Sequence, residues 1–269
     1  MKYSTVLWIG ASLLLASIAC TSKKKSQTEL SSSQSTQEIK AETASENESL
    51  KILPVQHAST VLEFQDQVIY IDPAGGASLF TSCKPPTLVL ITDIHGDHMD
   101  IKTLDSLNVT NAKLIVPQAV ADKLPNMYKN QLVIMNNGDT QKINGVGIEA
   151  IPMYNLRPEA LKFHEKGRGN GYVLTIGGQR IYFSGDTEDI PEMRSLENID
   201  KAFVCMNLPY TMPVDKAADA VLAFAPKNVF PYHYRGTEGL SDVEEFKNLV
   251  TKGNSEIEVI QLDWYPKLQ

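Results

Sequence analysis

Cysteine, histidine and clustered basic charge are all scarce in this 269-residue chain. Three cysteines, Cys20, Cys83 and Cys205, are too few for a disulfide framework to carry the fold. No Lys/Arg run with interleaved aromatics occurs beyond the N-terminus, and the formal charge is -7, so nucleic acid is not the expected partner. No glycine-rich turn leads a strand into a helix at the spacing that cradles a phosphate, and nucleotide binding has no support. Internal repeats are absent as well. Histidine numbers only five, which makes any clustering of them informative.

Two of the five fall in LVLITDIHGDHMD, residues 88 to 100. Leu88 to Ile91 form an unbroken apolar run, the pattern of a buried central strand. Asp93, His95, Asp97 and His98 follow within six positions, with Gly96 expected to let the backbone turn between them. Ile101, Leu104 and Leu107 then repeat at helical spacing. The spacing therefore predicts four metal-capable side chains in a loop between a core strand and a helix.

The first fifty residues read differently. Met1 and Lys2 give a positive end, Val6 to Ile18 are mostly apolar, and small residues lead into Cys20. This predicts a signal peptide over residues 1–19. Ser17-Ile18-Ala19-Cys20 resembles a bacterial lipoprotein cleavage site, which implies an exported, membrane-anchored protein lipidated at Cys20. Ser17 stands where leucine is usual, and cleavage nearby without a lipid is the alternative. Residues 20–49, rich in Ser, Lys, Gln, Thr and Glu, have little to bury and read as a disordered tether. A single domain is expected over residues 50–269, large enough for a substantial core. Of the remaining cysteines, Cys205 lies in the apolar run Ala202 to Met206, and a buried unpaired thiol is expected there.

Within the domain, Val61 to Phe64 and Val68 to Ile71 read as a hairpin about Gln65-Asp66-Gln67. Strands are expected at 113–116, 132–135 and 146–151, with a short helix over 118–124. A second hairpin is expected from 169–176 and 179–184. Strand and helix then alternate: strands at 202–206, 228–231 and 257–262, helices at 214–225 and 242–250. The first of these helices should bury Val214, Ala218, Val221, Leu222 and Ala225. Hairpins mixed with strand–helix units predict an α/β fold (α+β in some schemes) of two mixed sheets with helices outside.

Polar residues that packing does not explain collect at five places: His57, the Asp93–His98 cluster, Tyr154-Asn155 with His164, Asp186, and His233. Asp186 and His233 each follow an apolar run, and loops at strand ends are where such sheets place active sites. A carboxylate such as Asp186 can bridge two cations, and mixed His/Asp ligands suit a pair of divalent ions.

Here the sequence resembles a known family. Thr92-Asp-Ile-His-Gly-Asp-His98 is similar to the His-x-His-x-Asp-His signature of the metallo-β-lactamase superfamily, with Asp93 in place of the first histidine. Gly185-Asp186-Thr187 resembles its bridging aspartate, and His233 its final histidine. FHEKGRGNGYVL, GGQRIYFSGDT and MNLPYTMP, the last at 206 to 213, resemble the branch related to L-ascorbate-6-phosphate lactonase.

The resemblance implies a four-layer αββα metallo-β-lactamase fold. It also implies a metal-dependent hydrolase that uses a metal-bound hydroxide on an ester, lactone or phosphodiester of a small-molecule substrate. One metal would take Asp93, His95 and Asp186; the other would take Asp97, His98, Asp186 and His233. Met153-Tyr154-Asn155 stands where the family has a further histidine, and whether Tyr154 or Asn155 substitutes for it is left open. The family implies two divalent ions, zinc first; the exchange of nitrogen for oxygen ligands argues for manganese or iron(II) instead.

Three residues are expected to take part in catalysis. Asp97 would orient the hydroxide. His57 would serve as substrate contact, second-layer partner or proton donor. His164, in a basic glycine-punctuated loop with Lys162, Lys166 and Arg168, would cover the metals or simply face solvent. The alternative to an enzyme is an exported non-catalytic binding protein with a degraded metal centre.

Overall fold

The computed structural model describes residues 49–266. The expected signal peptide, the lipidated Cys20 and the tether up to residue 48 lie outside the described residues. No helix among the described residues is long and apolar enough to cross a membrane.

Strands β1 (Lys51–Gln56), β2 (Ser59–Phe64) and β3 (Gln67–Ile71) form an antiparallel meander at one edge of the first sheet. β4 (Leu88–Leu90), α1 (Ile101–Ser106), β5 (Lys113–Val116), α2 (Gln118–Ala121) and β6 (Leu132–Ile134) continue it with parallel pairing, giving six strands in sequence order. β7 (Thr140–Ile143), β8 (Val146–Met153), β9 (Gly169–Ile176) and β10 (Gln179–Phe183) make the antiparallel half of the second sheet. After α3 (Pro191–Arg194) come β11 (Lys201–Val204), α4 (Val214–Phe224) and β12 (Asn228–Pro231). A short hairpin, β13 (Arg235–Gly236) with β14 (Gly239–Leu240), then leads to α5 (Val243–Gly253) and β15 (Glu258–Val259). The second sheet runs β15-β12-β11-β10-β9-β8-β7, parallel from β10 through β15.

Side-chain alternation along the strands builds the layers. Ile69, Ile71, Leu88, Leu90 and Ile115 join one cluster with Ile148, Leu174 and Phe183 of the second sheet. Val68, Tyr70, Val89, Ile91, Leu114 and Val116 point the other way, onto Leu104 of α1 and Val120 of α2. On the far side α4 packs on the second sheet, with Phe224 edge-on to Tyr182 at 6.0 Å. The expected two mixed sheets between helical layers are present, in the metallo-β-lactamase arrangement.

Local differences from the sequence reading have physical reasons. α2 stops at Ala121, and the chain continues to Leu124 in turns closed by the Lys123 and Leu124 amides on the Val120 carbonyl, ending before Pro125 as a residue ahead of proline disfavours further helix. α4 buries Ala217, Ala218, Ala220, Val221 and Phe224, while Ala225 ends it with φ at 42°. β15 is only two residues long rather than the expected six. β7 had no sequence signal because it is a polar edge strand. It is joined to β8 by Asn144-Gly145, whose φ values of 51° and 85° suit a tight hairpin turn. Cys83 and Cys205 are free thiols, and burial pushes Cys205 up to about 11.

The centre of the second sheet rests on a ladder of stacked rings. Phe203 lies 4.3 Å from Phe183 and 4.7 Å from Phe230, both near-parallel. Phe203→Ala is expected to lower unfolding stability by about 3–5 kcal/mol through lost burial and a residual cavity. Chemical denaturation monitored by circular dichroism measures it.

Candidate metal centre

Four strand ends deliver the functional side chains. β3 ends one residue before Asp72, and β4 leads into the Asp93–His98 turn. β10 ends three residues before Asp186, and β12 two residues before His233. The turn is closed by the His98 and Met99 amides donating to the His95 carbonyl, at 3.0 and 2.8 Å. Gly96 has no positive φ and a Cβ there would meet nothing, so the turn does not require glycine as the sequence reading held. Gly185 is the glycine the site needs. Its φ is +58°, and a Cβ would approach Met153 Sδ at 2.7 Å, just where the chain must swing Asp186 inward.

All five histidines of the chain reach this one place, and four of them turn Nε2 toward the carboxylates. Asp186, 3% exposed, is the hub. Its Oδ2 lies 3.0 Å from His164 Nε2 and 3.3 Å from His98 Nε2, and its Oδ1 lies 3.3 Å from His233 Nε2. Asp97 Oδ2 lies 3.3 Å from His57 Nε2 and 3.4 Å from His233 Nε2. His98 and His233 face each other with their Nε2 atoms 3.2 Å apart.

Each ring but one is backed at Nδ1. His98 Nδ1 is 2.8 Å from Asp72 Oδ2, His95 Nδ1 is 2.8 Å from Asp93 Oδ2, and His57 Nδ1 is 2.6 Å from the Tyr265 hydroxyl. His164 Nδ1 lies 3.1 Å from the Tyr210 carbonyl. His233 Nδ1 is buried without a partner among the described residues; its ring lies between His98, near-parallel at 5.0 Å, and His57, tilted at 3.8 Å.

Electrostatics follow from this crowding. Burial works against charge on Asp186 and Asp97, yet the surrounding imidazoles hold both carboxyls well below the usual carboxylate range. Burial also opposes charge on His98, but Asp186, Asp72 and Asp97 hold it well above the usual histidine value. His57, buried beside His233, is pushed down to about 4 and is neutral at physiological pH.

The donor set fits a cation. Asp186 Oδ1 is buried and accepts no hydrogen bond, although an imidazole nitrogen is close by. Two imidazole nitrogens at 3.2 Å must share a proton or a positive ion. Three groups of ligand-capable atoms are close enough to hold one: Asp93/His95/His164, His98/Asp186/His233 and His57/Asp97/His233.

The sequence-predicted residues thus converge, with adjustments. His164, read as part of a loop, sits against Asp186 and brings an imidazole where one was counted as missing. Asp93 stands in the group with His95 and His164, and its oxygens also accept from Arg168 Nε at 3.0 Å and Nη2 at 2.8 Å as well as meeting His95 Nδ1. Tyr154 turns away, its hydroxyl donating to Glu192 at 2.9 Å. Asn155 donates to the carbonyls of Ala160 and Tyr210.

Asp72 was not foreseen. It also accepts from the Thr92 amide and hydroxyl at 2.7 and 2.6 Å. Its only sequence signal was an acid closing a strand adjacent to β4. A cavity of about 270 Å³ opens over the centre, walled by His95, Asp97, His164, Asp186, Phe163, Asn207 and Tyr210.

Comparison with known proteins agrees with this geometry. The beta-lactamase superfamily domain matches residues 68–234. The UPF0173 metal-dependent hydrolase of Pyrococcus furiosus is 30% identical over 213 residues, covering 75% of this chain and 92% of that protein. A solved metal-dependent hydrolase from Parabacteroides distasonis is 37% identical with TM-score 0.71, covering 79% of this chain and 92% of that one. The metallo hydrolase Igni18 of Ignicoccus hospitalis shares the fold at TM-score 0.67 and 23% identity, covering 80% and 95%. These names do not extend to the lactonase branch, whose likeness stays with the sequence motifs.

Asp72 fixes the ring of His98 from behind, so Asp72→Ala is expected to weaken divalent-metal affinity by about 10–100-fold. Chelator-competition titration of the folded variant measures it.

Proposed function

The chain belongs to the beta-lactamase superfamily, and from that premise we propose that it binds two divalent ions and hydrolyses an ester, lactone or phosphodiester bond. The observation that carries the reading is the convergence of four imidazoles on the carboxylates of Asp97 and Asp186, with His95 beside them on Asp93 and a buried Asp186 oxygen left without a hydrogen bond. Such an arrangement is costly unless a cation joins it. The comparisons lend no support to a non-catalytic binding protein.

One ion would lie toward His95, His164 and Asp186, the other toward Asp97, His98, Asp186 and His233. Asp93 would act on the first through His95. With His164 in the set, nitrogen and oxygen ligands are balanced and the argument for a hard ion weakens; zinc is the reading preferred over manganese or iron(II). The ions would supply Lewis-acid polarisation of the scissile bond and acidify water.

The protein's own groups do the rest. Asp97, with its side chain 44% exposed, presents an oxygen to the cavity where it can accept a proton of the attacking water. His57, kept neutral, holds Asp97 on one side and the Tyr265 hydroxyl on the other, a path for a proton leaving the site. The cavity's size suits a small-molecule substrate.

Export and anchoring through Cys20 form part of the proposal, supported by the apolar segment ending Ser17-Ile18-Ala19-Cys20. Mass spectrometry of the mature protein should find diacylglycerol on Cys20; an unmodified N-terminus nearby would refute it.

Removing metal with a chelator is expected to lower the melting temperature, because the carboxylates and imidazoles lose their shared counter-ion. His233→Ala should lose at least one metal equivalent, by elemental analysis, and at least about 10²-fold in kcat, while remaining folded. Metal content equal to the unmutated protein would exclude His233 as a ligand.

A further inference from the structure

The MNLPYTMP segment carries a group that the metal centre does not use. Asn207 is only 2% exposed and lines the cavity over the centre, beside His95, Asp97, His164 and Asp186. Its side-chain oxygen accepts from the Thr211 hydroxyl at 2.5 Å, a separation that fits O–H···O and is short for N–H···O. The same hydroxyl accepts from the Asn207 backbone amide at 2.9 Å, so its single proton is directed to the Asn207 oxygen. This orients the side-chain amide. Its NH₂ has no hydrogen-bond partner among the described residues, and the residue lines the cavity.

The turn that holds Asn207 is itself fixed. The Asn207 carbonyl accepts from the amides of Tyr210 and Thr211 at 2.9 and 3.1 Å. The Tyr210 carbonyl meets His164 Nδ1 and accepts from Asn155, and the Thr211 carbonyl accepts from Arg157 Nη2 at 2.6 Å. The ring backed by Tyr210 is the ring nearest Asp186, so the turn and the metal centre are positioned as one unit. A donor that is rigid and unpaired at the wall of a reaction cavity meets the requirements for stabilising developing negative charge.

We propose that Asn207 is a catalytic residue whose side-chain NH₂ donates to the carbonyl or phosphoryl oxygen of the substrate, an inference that rests on the hydrolase reading above. For an acyl substrate, the oxygen of water bonds to the carbonyl carbon and the C=O π pair moves onto the oxygen that Asn207 holds. The pair returns as the bond to the leaving oxygen breaks, and that oxygen takes the proton released by water. For a phosphodiester, the donor meets a non-bridging oxygen while water's oxygen displaces the leaving oxygen at phosphorus.

The test uses the full metal-reconstituted protein with Asn207→Ala and Asn207→Asp. It reads turnover of p-nitrophenyl acetate and bis(p-nitrophenyl) phosphate, the Kd for inorganic phosphate by calorimetry, and metal content. Both variants should lose about 10²-fold in kcat on the accepted ester while KM stays within about threefold. Phosphate should bind about tenfold more weakly, with metal content unchanged. The aspartate keeps an acceptor for Thr211 but offers no donor, so a purely structural Asn207 would leave Asn207→Asp near wild type, and that result overturns the proposal. The aspartate variant also decides if the alanine variant fails to fold. Should the unmutated protein turn over neither ester, the hydrolase reading fails for them and phosphate decides for Asn207. Tenfold weaker binding in the variants then supports the donor, and unchanged binding, or none by the unmutated protein, overturns it.

Discussion

Burying the Asp186 carboxylate is the constraint on which the rest of the site depends. An isolated charge at that depth would cost several kcal/mol, on the order of the stability of a whole domain. The chain answers with imidazoles rather than with lysine or arginine: His98, His164 and His233 stand within 3.3 Å of its oxygens. Because imidazoles can be neutral donors of a lone pair, the same arrangement that tolerates the charge also forms a basin for a divalent cation. Arginine beside Asp186 would have satisfied the carboxylate and closed the site.

Such rings are useful only if they cannot rotate, and the fold's seam provides the supports. Asp72 and Thr92, from the first sheet, hold His98, while Asp186 and His233 come from the second. Hydrogen bonds to backbone carbonyls tie the two sheets beside the centre. The Asn170 amide donates to the Thr92 carbonyl at 3.0 Å, and the Tyr172 hydroxyl donates to the Ile91 carbonyl at 3.1 Å. The Arg168 fork on Asp93 plays a similar part for His95, since a bidentate guanidinium fixes both oxygens of the carboxylate. Arg168 and His164 belong to the same loop, so the bond to Asp93 and the approach of His164 to Asp186 hold that loop against the centre at two points.

Much of this was legible before any coordinates. The apolar run Leu88–Ile91, the Asp93–His98 cluster, the hairpins and the strand–helix alternation each have a short-range signal, and each is present. Asp186 and His233 were legible as polar residues after apolar runs. Asp72 and Asn207 were not, because nothing local separates an aspartate closing a strand, or an asparagine before a turn, from ordinary loop chemistry. Their importance comes from neighbours 26 residues away in one case and from an adjoining cavity in the other. β7 escaped for the opposite reason: an exposed edge strand needs no apolar alternation.

The sequence by itself determined the two mixed sheets, the superfamily signature and the five histidines with their carboxylates, since these rest on periodicity, spacing and residue chemistry. Only the tertiary structure decided which nitrogen of each ring faces inward and which group stands behind it. It also decided that His164 meets Asp186 across 22 residues and that Asp93 faces Arg168 across 75. Those outcomes depend on how two sheets close over a shared seam. Proximity there is set by strand ends brought together through packing, and local sequence has no register of it.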